Sequence, residues 1–349
     1  MANITEKFVF LYDCTSTMDL GKTIKDWMLP ISMTAGALAY LMYHWTPALH
    51  PAGPALESIV SVIQPTIIFI MLFLTFCRIE PKDLRPHRWH GWMLAVQGGL
   101  FTLLGLVIVL LKHLVPDCGD STVLIESAMV CLICPTATAA AVVTKKLGGD
   151  VAGITTYTIL INLLTAILVP AIVPIVQPTQ GVDFISASMM ILAKVFPLLI
   201  MPCFCAWLLR YISPRLHGKF ARKADLAFYI WAVGLFLAIV VTVKAIVHST
   251  MPVLLIISIG AVSLVSCIFQ FWAGHVLGMK YHTARGDEGP AARESRVTTC
   301  GQALGQKNTV FAIWMGYTFL SPETSIAGGL YSIWHNLYNS WQIYRYQKH

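Results

Sequence analysis

Cys300-Gly301-Gln302-Ala303-Leu304-Gly305-Gln306-Lys307-Asn308-Thr309 leads directly into an apolar stretch that ends at Leu320. Whether this polar segment lies inside a membrane or before it sets the character of the chain. If it belonged to the preceding connector, the span would start near Thr309 and keep roughly 12 apolar residues, too few to cross hydrocarbon. A full span, from about Thr298 to Leu320, carries that segment's two glycines, two glutamines, asparagine and lysine to membrane depth. Such groups are costly in lipid and mark a functional site by default.

A second interruption precedes it, at Cys134-Pro135-Thr136-Ala137-Thr138-Ala139. Pro135 removes a backbone donor and clashes with the preceding turn, so the helix should break there and free carbonyls within the membrane. Neighbouring helices, water, or an ion or substrate must satisfy them. The motif alone fits either a tolerated kink or a binding site.

The rest of the chain fits this setting. Of its 349 residues, 56% are apolar and 12% charged, and its mean hydropathy is +0.69. That is too much hydrophobic surface for a soluble domain. Ten runs have the length and composition of spans: Trp27 to Trp45, Ser58 to Cys77, Gly91 to Leu111, Val123 to Thr144, Val151 to Val176, Ile185 to Leu209, Leu226 to Val247, Val253 to Leu277, Thr298 to Leu320 and Ile326 to Tyr344. The expected fold is therefore an all-α polytopic membrane protein of about ten transmembrane helices.

The formal charge of +7 does not point to nucleic acid, because the cations sit in alternate connectors. Arg78, Lys82, Arg85 and Arg88 follow the second run, and Lys145 and Lys146 the fourth. Arg210, Arg215, Lys219, Arg222 and Lys223 follow the sixth, Lys280, Arg285, Arg293 and Arg296 the eighth, and Arg345 and Lys348 close the chain. The positive-inside rule then places these connectors and both termini in the cytoplasm.

No connector is long enough to fold alone, and the longest, from about Gly278 to Val297, has a flexible composition. Residues 1–349 form one domain. Divided five and five, the spans give repeats over about 26–178 and 184–345, each with its interrupted helix in fourth place. Five is odd, so the repeats enter the membrane in opposite orientations.

The nine cysteines, scattered through apolar runs, match neither a disulfide framework nor a zinc site. The first 25 residues do not form a cleavable signal. Leu20-Gly21-Lys22-Thr23 lacks the first glycine of a phosphate-binding loop, since position 16 is Ser. Gln97, Thr158, Asn162, His335 and Asn336 could line a cavity or act as interhelical glue. Lys194 and Lys244, near helix ends, should snorkel. The 17 acidic residues fall in the N-terminal arm, in connectors or, like Glu57 and Glu126, near helix starts, so Lys307 has no evident intramembrane acid.

Six short segments, three in each half and including both interruptions, together resemble the bile acid:sodium symporter family. The first half supplies Cys134-Pro135-Thr136-Ala137-Thr138-Ala139, Val142-Val143-Thr144 and Gly149-Asp150. The second half supplies Leu304-Gly305-Gln306-Lys307-Asn308, Ser321-Pro322, and Tyr331-Ser332-Ile333-Trp334-His335-Asn336. The resemblance implies two five-helix inverted repeats forming a panel (helices 1, 2, 6 and 7) and a core, with broken helices four and nine crossing in the core. It also implies carriage of an organic anion, usually with sodium.

The family's sodium ligands are largely missing. Its Ser-Asn pair aligns with Ala140 and Ala141, its two helix-five hydroxyls with Ile154 and Thr158, its Glu with Ala303, and the Gln of its Gln-Asn pair with Lys307. A one-residue shift would instead enlist Gln302 and Gln306, at the cost of the spacing to His335. A hard cation needs oxygen ligands, which Ala and Ile side chains lack.

The expected function is secondary transport of a small organic anion by alternating access. Thr136, Thr138, Gln97, Lys307, Asn308, His335 and Asn336 are the candidate substrate residues. Lys307, Thr158, Gln306 and Gln302 are the candidates for binding or replacing an ion, and no metal site is assigned. Lys307 would stand in for a bound sodium, paired with carbonyls freed by the breaks or with the substrate carboxylate, or it would simply tie helices four and nine together. An uncoupled channel or membrane-embedded sensor is the alternative. No catalytic constellation marks an enzyme. Apart from sodium, which enters through the resemblance, no cofactor is implied. The expected partners are the anion and the lipid bilayer, in the plasma membrane (the inner membrane of a bacterium), with oligomeric state left open.

Overall fold

The computed structural model describes residues 28–84, 86–115, 118–222, 224–280 and 289–348. The N-terminal arm with Cys14, and the connector residues 281–288, lie outside them. The described chain is all helix: α1 Met28–Trp45, α2 Gly53–Phe76, α3 Arg88–Leu114, α4 Gly119–Ile133, α5 Ala140–Lys146, α6 Val151–Val176 and α7 Phe184–Leu199. There follow α8 Met201–Ile212, α9 Pro214–Arg222, α10 Ala224–His248, α11 Val253–Lys280, α12 Pro290–Gly305, α13 Thr309–Phe319 and α14 Thr324–Gln347.

All ten apolar runs are helical, singly or as broken pairs. Five helices are individually long and apolar enough to cross a membrane, and the α7–α8 pair makes a sixth if its 40° bend lies within one span. The chain is a multi-pass membrane protein.

Three features depart from the sequence expectations. The run from Ile185 to Leu209 divides at Ile200, where Pro197 and Pro202 flank the bend; each lacks the N–H that would continue the ladder. The helix expected from Thr298 begins at Pro290, because proline suits a first turn and Ala, Arg and Glu extend it. The basic connector after the sixth run contains α9, a helix with an evident polar face, where a loop was expected.

Two groups of helices emerge from the packing. α10 packs on α1 and α2, and α2 on α7 and α8. On the other side α3 packs on α4 and α6, while α11 packs on α12, α14 and α4. Contacts of α10 with α13 and α14, and of α6 with α7, join the groups. At one end of the bundle Glu80, in the connector after α2, bonds Lys82 at 2.7 Å and Arg210 of α8 at 2.9 Å. Those hydrogen bonds, Lys82 first, hold its carboxyl below the usual carboxylate range. Lys244 does not merely snorkel: it bonds Glu57 at 2.6 Å and the Tyr317 hydroxyl at 3.2 Å. Trp45, Trp92 and Trp341 are exposed, as interfacial anchors should be.

Candidate functional site

α4 stops at Ile133 and α12 at Gly305, and the two breaks meet. Thr136 and Lys307 form an isolated antiparallel bridge, in which Ala137 N donates to Gln306 O (2.9 Å) and Asn308 N to Pro135 O (2.8 Å). Backbone groups deprived of helical partners thus satisfy one another, as they must away from water.

The last carbonyls of α4, orphaned by the break, are taken by side chains from four directions. Gln270 Nε2 of α11 donates to Cys131 O (3.1 Å), Lys307 Nζ to Leu132 O (3.2 Å), Thr165 Oγ1 of α6 to Ile133 O (3.0 Å) and Gln97 Nε2 of α3 to Cys134 O (3.1 Å). At the end of α12, Thr136 Oγ1 donates to Ala303 O and Tyr331 OH to Gly305 O, both at 2.8 Å. Tyr157 OH holds Gln97 through Oε1 at 2.8 Å. Asn308 caps α13, its Oδ1 accepting from Phe311 N at 3.2 Å.

Beside the crossing lies a cleft of about 330 Å³, counting its open mouth. Ala137, Thr138, Gln306, Lys307, Asn308 and Thr309 line it from the breaks, His335 and Asn336 from α14, Met71 from α2 and Trp231 from α10. Lys307, Asn308, Gln306 and His335 are all buried, and His335 Nδ1 lies 3.4 Å from Lys307 N. Gln306 Oε1 and Asn308 Nδ2 have no hydrogen-bond partner among the described residues.

Six candidates, Thr138, Gln306, Lys307, Asn308, His335 and Asn336, therefore share the cleft. Thr136 and Gln97 stand behind it and hold the breaks in place. Two lie elsewhere: Thr158 Oγ1 bonds Ile154 O in its own helix at 2.9 Å, and Gln302 Nε2 bonds Asn339 and Gln342 at 3.0 and 2.7 Å. Ala140, Ile154 and Ala303, the positions aligned with sodium ligands, pack in one apolar cluster with Trp89, Met93 and Tyr157.

The sequence comparison extends over nearly the whole chain: the family model of the SBF-like CPA transporter family (DUF4137) matches residues 26–344. The chain belongs to that family. Its bile acid:sodium symporter-like character, expected from the motifs around both breaks, is thereby established. The SBF-like CPA transporter family is a family of transporters, which points to secondary transport for this chain. No curated protein matches it in sequence.

Sequence reasoning missed Met71 and Trp231, because nothing local tells a cleft-lining apolar residue from a lipid-facing one. It also missed Gln270 and Tyr157, and named Tyr331 only within the family resemblance without a role at the break; a polar group in an apolar run was the available signal for Gln270. Glu126 was placed near a helix start. It is the eighth residue of a 15-residue helix and is fully buried, because α4 begins at Gly119, well before its apolar run.

Proposed function

We propose that the chain is a secondary transporter of a small organic anion, with ten spans in two inverted repeats, about 26–178 and 184–345. α7 with α8, α4 with α5 and α12 with α13 each count as one span. The crossing of the two breaks beside the cleft is the observation that carries this reading. Both halves run long helix, broken helix, long helix (α3 to α6 and α11 to α14), which supports the repeat. The cleft lies between the two helix groups, with Met71 and Trp231 on one side and the crossing on the other, so sliding one group past the other would expose it alternately.

The buried amide of Asn308 and the nearby N-terminal end of α13 suit an anion. Lys307 acts as a tethered positive charge in place of sodium. Its bond to Leu132 O supports the pairing with a freed carbonyl, and the apolar packing of Ala140, Ile154 and Ala303 supports the loss of the first sodium site.

Uptake of labelled pyruvate, pantothenate and a bile acid into proteoliposomes, with and without a sodium gradient, tests this. Wild type should show saturable uptake independent of sodium. Lys307→Gln should lower uptake and change its pH profile, whereas Lys307→Arg should keep part of it. A sodium requirement that Lys307→Gln leaves unchanged, along with the pH profile, would sink the tethered-cation role. Flux that never saturates would favour a channel instead.

A further inference from the structure

Glu126 is the one carboxylate among the described residues with no exposed surface. Its Oε1 accepts from Gln177 Nε2 at the end of α6 (2.6 Å), and its Oε2 lies 3.3 Å from Thr324 Oγ1 at the start of α14. Thr324 Oγ1 lies 2.7 Å from Ser321 Oγ, and either atom can be the donor. Ser321 is half-buried, in the turn between α13 and α14. A chain of hydroxyls therefore leads from the surface at the cation-poor end of the bundle to a carboxylate with no access of its own.

Among the described residues no cation pairs with Glu126. Lys112 of α3 faces it, but Lys112 Nζ is bonded to Val176 O at 2.7 Å. The other elements packed on α4 are α11, α13 and α14. α11 has no titratable side chain in the half nearer this end, and Tyr317 of α13 is engaged with Lys244. α14 brings Thr324, preceded by Glu323 in the turn. A buried carboxylate left with two hydrogen bonds and no cation is costly.

The same contacts satisfy a neutral acid. Oε1 accepts from Gln177, Oε2–H donates to Thr324 Oγ1, and Thr324 donates to Ser321. In the ionised state the row reverses, with Ser321 donating to Thr324 and Thr324 to Oε2. We propose that Glu126 is a proton-binding site loaded from the cation-poor face through Ser321 and Thr324. A hydronium ion at the surface gives a proton to Ser321 Oγ and leaves as water, the hydroxyl proton of Ser321 moves to Thr324, and that of Thr324 moves to Glu126 Oε2. Each hydroxyl ends with the proton count it began with, and the carboxylate becomes neutral. Proton binding here does not depend on the transporter reading; only its use as a coupling ion does.

Infrared difference spectroscopy of the purified full chain tests the site without a substrate. Between about pH 5 and about pH 9, wild type should show the carbonyl stretch of a protonated carboxylic acid, and Glu126→Gln should lose it. Gln177→Leu, which removes the donor to Oε1, should keep the band and move it to higher frequency; this identifies the group even if Glu126→Gln does not fold. After a pH jump, Ser321→Ala should slow the band's response by roughly tenfold or more. Wild-type spectra showing no carboxylic-acid band that either variant alters would overturn the site. A Ser321→Ala response at the wild-type rate would overturn the relay. Either failure leaves the uptake experiments untouched, so the two readings fall separately.

Discussion

Gly274 shows how little room the central helices leave at the scale of one residue. A Cβ there would strike Cys300 O and lie within 2.8 Å of Cys300 C and Gly301 Cα, all backbone that no rotamer change can move. Gly278 meets Val297 Cα at 2.8 Å in the same way, and Gly301 meets the His275 ring. Small residues thus let α11 and α12 pack backbone to backbone, as membrane helices do where apolar burial supplies no net drive. Gly274→Ala should cost about 1–3 kcal/mol by overpacking, read as a lower melting temperature in detergent. Gly91, on the same class of helix but with nothing within 4 Å of its added Cβ, is the control; Gly91→Ala should be neutral or gain up to about 1 kcal/mol.

At the scale of elements, breaking two helices creates a row of unsatisfied carbonyls and then gathers the groups that satisfy them. α3, α6, α11 and the second break each contribute one side chain to the end of α4. The break is therefore held from several sides and is not a flexible hinge. Thr136 belongs to this arrangement, its hydroxyl closing the end of α12 through Ala303 O. Thr136→Val keeps the shape but orphans that buried carbonyl, and should cost about 1–3 kcal/mol. Thr136→Ser should recover most of it, and the two variants are to be compared by thermal unfolding. Equal melting temperatures for wild type and Thr136→Val would mean that the hydroxyl contributes nothing at the crossing.

For the whole molecule the cleft has a direction. Met71 lies late in α2 and Trp231 early in α10, so both belong to the end that carries Lys145, Lys146, Arg215 and Lys219. At the opposite end α14 and α10 pack closely, since a Cβ on Gly329 would come within 2.6 Å of Thr242, and Lys244 joins Glu57 to Tyr317. With the cation-rich end cytoplasmic, Thr138→Cys should react with a membrane-impermeant maleimide in inside-out vesicles and resist it in right-side-out ones. The reverse pattern would invert the topology, and with it the orientation assigned to both repeats.

The sequence by itself determined the ten apolar runs as helical, both interruptions and the cation-rich end, because hydropathy, proline chemistry and charge placement act over a few residues. The motifs around the breaks likewise carried the family. It did not determine that Thr136 would reach Ala303, 167 residues away, or that Met71 and Trp231 would join the cleft. Nor did it show that Glu126 would sit against Gln177 and Thr324. Only the tertiary structure decided these, since a side chain in an apolar helix meets lipid, a neighbour or a cavity according to how distant helices pack, and its local sequence is the same in all three cases.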